Sequence, residues 1–179
     1  MSGESRERPA VDGMGTEGKR ADRPPSKSLK ARAVALLARR EYSRADLRKK
    51  LLARREHSAD ELSAVDRVLD ELAVLGFLSD ERFASDLIRA KSGRYTKRAI
   101  AQLLEASGVP QEVAAAALDA VDVDDRSALV ALWRRRFGRA PADDRDKARQ
   151  IRYLQARGFS LSAILQLLRK PPTEESASE

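Results

Sequence analysis

"SDERFASDLIRAKSGR", residues 79–94, is the stretch on which the fold turns. Ser79 is placed to accept hydrogen bonds from the first free amides of a helix, and Asp80 and Glu81 put negative charge at the positive end of its dipole. Phe83 with Leu87, and Ala84 with Ile88, are i,i+4 pairs on adjoining rows, so the helix carries a narrow apolar stripe. Arg82, Asp86 and Arg89 fall on the opposite side. Lys91 returns to the end of the stripe, where its stem can pack while its ammonium meets the last carbonyls, and Gly93 stops the helix. Structure alone accounts for these residues. A helix this short cannot bury its stripe unaided, so the neighbouring segments must cover it.

Those neighbours repeat. Leu52, Leu104 and Leu154 each stand near a helix end, and six residues later Ser58, Pro110 or Ser160 opens another helix. After each opener the apolar positions coincide, with Leu62, Ala114 and Ile164 fourth and Val65, Ala117 and Leu167 seventh. Gly108 and Gly158 follow the second and third leucines at the same distance, where left-handed backbone ends a helix most readily. Glu56 stands at the corresponding place in the first copy, so that turn must differ. "YSRADLRKKLL" (42–52) and "YTKRAIAQLL" (95–104) match as helix entrances: a tyrosine, a hydroxyl N-cap, then a basic residue before the apolar stripe.

This pattern predicts an all-α fold of three tandem three-helix repeats, elongated and modular. The expected helices are 29–40, 44–55 and 59–75; then 80–92, 97–107 and 110–121; then 125–137, 144–157 and 161–169. The units are 29–78, 79–123 and 124–170. They are flanked by tails at 1–28 and 171–179, rich in Gly, Pro, Ser and charge, that are expected to be disordered.

Composition narrows the function. Of 179 residues 42% are hydrophobic, 35% charged and only 4% aromatic, which suits thin helical cores. The chain has no cysteine and one histidine, which rules out disulfides and thiolate chemistry, and His57 sits in an interhelical turn without a sequence cue to a nucleophile. No enzyme, cofactor or metal site is expected. "GMG" at 13–15 does not make a phosphate loop, and "DVDDR" (122–126) lacks the glycine and final glutamate of a calcium loop. No apolar run approaches the roughly 20 residues of a membrane span, and residues 1–28 lack a signal peptide's hydrophobic segment. A soluble, cytoplasmic monomer is expected.

"DERFASDLIRAKSGRYTKRAIAQLLEASGV" (80–109) resembles the central signature of the RecX family, in an Asp, a Phe-Ala pair, a basic residue ahead of a Gly, and an Ile and Leu helix closed by Gly. The residues carrying the likeness are Asp80, Phe83, Ala84, Leu87, Ile88, Gly93, Ile100, Leu104 and Gly108, with Leu154 and Gly158 at matching places in the third copy. "LDELAVLGFLSDERFA" before it and "KARQIRYLQARGFSLSAILQLL" after it extend the resemblance to about 29–170. It implies a curved molecule and a non-enzymatic regulator of the recombinase RecA. Such a protein lodges in the groove of RecA filaments on single-stranded DNA and suppresses recombinase, ATPase and coprotease activities.

The net charge of +7 is unevenly spread. The units carry about +3, −1 and +7, and a positive surface favours an anionic partner. In the third unit Arg134, Arg135 and Arg136 occupy successive positions about 100° apart, so only part of the triplet can face one partner. Arg145, Arg149 and Arg152 form a ridge at helical spacing. In the second, Lys97 and Arg98 open a helix, where positive charge opposes the dipole, with Arg89 and Arg94 just before them. These ten residues are the candidate contacts to a RecA filament or to DNA phosphate, and the sequence does not choose between the two. Arg44, Arg48 and Arg55 in the first unit read equally as contact or solvated face. A direct DNA binder built from tandem helix-turn-helix-like modules is the competing reading, with weak nonspecific phosphate contact.

Overall fold

The computed structural model describes residues 28–53, 57–122 and 124–172. Apart from Ser28, which caps the first helix, and Pro171 and Pro172, the tails expected to be disordered lie outside them, as do the expectations for Glu56 and Arg55. Among the described residues the chain forms nine α-helices: α1 (Leu29–Leu37), α2 (Arg44–Leu51), α3 (Ala59–Val74), α4 (Asp80–Lys91), α5 (Lys97–Ala106), α6 (Gln111–Asp119), α7 (Asp125–Arg136), α8 (Asp144–Gln155) and α9 (Leu161–Arg169). Each starts within one residue of the position read from the sequence, because the starts are capped. Ser28, Ser43, Ser58, Ser79, Thr96, Asp124, Asp143 and Ser160 all accept a backbone N–H from the first turn. Several ends fall short of the expected ones, since fewer side-chain signals fix where a helix stops.

The helices pack in threes around separate cores. Ala33, Tyr42, Leu47, Leu51, Val65, Leu69, Leu72 and Leu78 form the first. Ala84, Ile88, Ile100, Leu104, Val109, Ala114 and Leu118 form the second, with Phe83 and Leu87 packed against it. Ala128, Leu129, Leu132, Trp133, Leu154, Phe159, Ile164 and Leu167 form the third. The apolar stripe of residues 83–88 is thus core, as read. One repeat equivalence needs correcting. Leu51, 4% exposed, fills the place of Leu104 and Leu154, whereas Leu52 is half-buried on the rim. Counting back from Ser58 selects the wrong leucine because the first turn is one residue longer; counting forward from the N-caps Ser43 and Thr96 selects the right one.

The units are joined by one device used twice. At the first joint the buried N-cap Ser43 donates its hydroxyl to Ser107 O across 2.5 Å, and the Arg44 N–H donates to Asp80 Oδ1 at 2.8 Å. At the second the N-cap Thr96, 4% exposed, donates its N–H to Arg157 O at 3.1 Å, and the Lys97 N–H donates to Asp125 Oδ1 at 3.0 Å. The basic side chain at each entrance turns back onto an acid of its own unit, Arg44 to Asp70 at 2.7 Å and Lys97 to Asp119 at 2.9 Å. At each joint the following unit supplies a carboxylate that takes the first free amide of the entering helix and offsets its dipole, and a carbonyl that accepts the Ser43 hydroxyl at one joint and the Thr96 N–H at the other.

The same joints explain two glycines. Gly108 (φ +72°) and Gly158 (φ +91°) lie in the turns that receive these entrances. A Cβ on Gly108 would stand 2.5 Å from the Ala45 Cβ, and one on Gly158 would collide with Thr96 Oγ1 and stand 2.7 Å from the Ala99 Cβ. The glycine is thus required twice, for backbone conformation and for close approach. Among the described residues only the first joint adds an ion pair between units, Arg82 with Glu41 at 2.9 Å.

Candidate partner-binding surface

The third unit builds its basic surface on a buried polar lock. α7 buries Leu129, Leu132 and Trp133, which leaves Arg134, Arg135 and Arg136 exposed in succession. The Trp133 indole N–H donates to Gln150 Oε1 at 2.9 Å within the core, satisfying a donor that burial would otherwise leave unpaired. Gln150 Nε2 donates in turn to Asp146 Oδ2 at 3.2 Å. Asp146 also accepts from Ala142 N at 3.3 Å and from the Arg149 guanidinium at 2.6 Å. Burial alone would push the Asp146 carboxyl up, but the bonds from Ala142, Arg149 and Gln150 outweigh it and hold the group below the usual carboxylate range. The Trp133–Gln150 bond ties α7 to α8, and a cavity of about 230 Å³ lies beside it, lined by Arg136, Phe137, Arg139, Asp146, Arg149 and Gln150.

A ladder of cations and rings runs from this site across the second joint. Arg136 lies 5.8 Å from the Phe137 ring and 5.6 Å from that of Tyr153. Arg157 lies over Tyr153 at 3.6 Å and 5.7 Å from Tyr95, which also carries Lys91 at 5.2 Å. Phe137 and Tyr153 meet edge to face at 5.3 Å. Such contacts contribute about 0.5–1 kcal/mol each at exposed sites.

The ten sequence-derived candidates divide accordingly. Arg136 and Arg149 share the small cavity, together with Arg139, which the sequence reading missed. Arg134, Arg135, Arg145 and Arg152 are exposed on α7 and α8 and have no ion-pair partner among the described residues. Arg149 is engaged by Asp146, and Arg89 by Asp86 at 2.5 Å. Lys97 is committed to Asp119 and to the joint. The unfavourable charge at that helix start therefore has a structural reason, the Asp125 carboxylate beside it, and does not by itself point to a partner. Arg94 and Arg98 are exposed, and Arg98 borders clefts on both sides of α5.

In the first unit Arg44 pairs with Asp70 and Arg48 with Asp66, each at 2.7 Å. The Arg48 hydrogen bond holds Asp66 below its ordinary range. That face is largely neutralised, and the third unit's is not. The turn histidine has local partners, His57 Nε2 standing 2.8 Å from Leu52 O. Among the described residues no helix is long and apolar enough to cross a membrane.

A sequence model of the second three-helix domain of RecX matches residues 79–118, and one of the third matches residues 124–168. The regulatory protein RecX of Leptothrix cholodnii is 41% identical over 149 residues, covering 83% of this chain and 92% of that protein. That of Chromobacterium violaceum is 44% identical over 142 residues, or 79% and 90% of the two chains. The crystal structure of RecX from Lactobacillus salivarius superposes with a TM-score of 0.53 at 19% identity, covering 79% of this chain and 93% of that one, and so shares its fold. With such identity spread along nearly the whole length of these relatives, and both domain models falling on helix triplets seen here, the chain belongs to the RecX family, whose members are regulatory proteins.

Proposed function

We propose that this protein binds RecA and its filaments on single-stranded DNA and restrains their recombinase, ATPase and coprotease activities. Family membership over nearly the whole described chain supports the regulatory role. The observation that carries the docking surface is the contrast between the helix faces: Arg44 and Arg48 on α2 face acids of their own unit, whereas Arg134, Arg135, Arg145 and Arg152 of the third unit stand exposed on two helices tied by the Trp133–Gln150 bond. Cations held this way are available to an acidic protein surface or to phosphate without first breaking an internal pair.

The test is ATP hydrolysis by RecA filaments with purified components. The protein slows it at substoichiometric amounts, and no effect at any protein concentration would refute the proposal. Reversing Arg135, Arg145 and Arg152 to Glu together removes three exposed charges while leaving Arg149 on Asp146, so inhibition weakens about tenfold or more while the helical spectrum is kept. Direct DNA binding is separated by titrating DNA alone at varied salt. Affinity equal to that for the filament, with a slope near −0.9 per phosphate contacted, would favour it instead.

A further inference from the structure

We infer that the cleft between the second and third units docks an acidic peptide segment of a partner protein, anchored by one apolar side chain. The cleft holds about 620 Å³, within the roughly 300–1,000 Å³ range of sites that enclose a ligand group. Val130 and Ala163, both half-buried, form an apolar floor over the buried Leu167, and Arg98, Arg126 and Lys170 stand around it. Each of the three cations is exposed, and among the described residues none has an ion-pair partner. The one acid on the wall, Asp125, accepts the Lys97 N–H, and three cations against it leave the rim net positive. Its position is fixed in advance, because the cleft lies along the joint made by Thr96 and Gly158. That reduces the ordering needed on binding.

The chemistry selects a peptide over a nucleic acid. A phosphate backbone gains nothing from an apolar floor, and a base needs an exposed aromatic face on which to stack. The only ring on this wall, Phe159, is 4% exposed and belongs to the third core. A peptide with acids flanking a leucine or phenylalanine matches rim and floor together. The cleft is distinct from the α7–α8 surface, since none of Arg134, Arg135, Arg145 and Arg152 lines it. This site therefore stands or falls separately from the filament reading.

The test is fluorescence anisotropy on the full chain with a fluorescein-labelled synthetic peptide of glutamates flanking a leucine–phenylalanine core. Replacing the glutamates by glutamine, or the core by alanine, weakens binding by about tenfold in each case. The surface substitutions Arg98→Glu and Arg126→Glu do the same from the protein side, and Ala163→Trp blocks the floor. Should Ala163→Trp fail to fold, the two arginine variants decide. Binding indifferent to both arginines overturns the proposal. So does equal competition by an oligothymidylate that those same substitutions abolish, since the cleft would then read charge alone. Binding that appears only after deletion of residues 173–179 also overturns it, because the chain's own acidic segment would then be the occupant.

Discussion

Placing a methyl group on the two joint glycines separates backbone strain from interface crowding. Gly93 (φ +69°) has nothing within 4 Å of a built Cβ, so Gly93→Ala meets only the left-handed penalty, about 1–2 kcal/mol. Gly108→Ala meets the same penalty and drives its Cβ to 2.5 Å from Ala45, and Gly158→Ala drives its own against Thr96 and Ala99. Overpacking of this kind adds about 1–3 kcal/mol. The joint variants should therefore lose about 2–5 kcal/mol, and Gly93→Ala clearly less.

Urea unfolding followed by far-UV circular dichroism reports the whole array, and Trp133, the single tryptophan, reports the third unit, so loss of cooperativity between units also shows. Ala45→Gly removes the atom that a Gly108 methyl would meet. Combined with Gly108→Ala it should recover about 1–2 kcal/mol beyond the sum of the two single effects, although alone it costs up to about 1 kcal/mol of helix propensity. Equal losses at Gly93, Gly108 and Gly158, or strict additivity in the Ala45 cycle, would refute the argument that these glycines exist to let one unit enter the next.

Three further outcomes follow from the polar contacts. Gln150→Met keeps the volume but leaves the buried Trp133 N–H without an acceptor, which should cost about 1–3 kcal/mol in the tryptophan-monitored transition and leave the first unit unaffected. Asp80→Ala and Asp125→Ala should each cost about 1 kcal/mol and selectively speed amide exchange at Arg44 and Lys97, whose N–H groups lose their acceptors. Because the folded Asp146 carboxyl lies below its unfolded value, its stabilisation is present above the ordinary carboxylate pKa of about 3.9 and is lost as pH falls through the lower folded value. An acid titration of Trp133 fluorescence should show a step below that ordinary value, and Asp146→Asn should remove it.

Helix starts, core stripes and the threefold repeat were legible because each rests on local chemistry. Ser43, Thr96 and Ser160 cap whatever follows them, and Ala84 with Ile88 lie on one row in any helix. The joints were harder, since a contact between units sets residues far apart in sequence side by side. Asp80 looked like a dipole acid and Lys97 like an exposed charge against the dipole, yet both belong to interfaces. One signal was available: an acid at the first position of α4 and again of α7, each paired with a basic helix entrance in the preceding unit. Gln150 gave no such signal, because a glutamine among arginines reads as surface until Trp133 is seen to need an acceptor. The ladder of Lys91, Tyr95, Arg157, Tyr153 and Arg136 was equally hidden, for it crosses a joint.

The filament itself gives the most direct measurement: co-sedimentation of the purified protein with preformed RecA filaments on single-stranded DNA, beside DNA-only and RecA-only controls. The proposed function predicts that the protein pellets with filaments far more than with DNA alone, and that reversing Arg135, Arg145 and Arg152 returns most of it to the supernatant. Protein that stays in the supernatant with filaments, or that pellets equally with bare DNA, would contradict it.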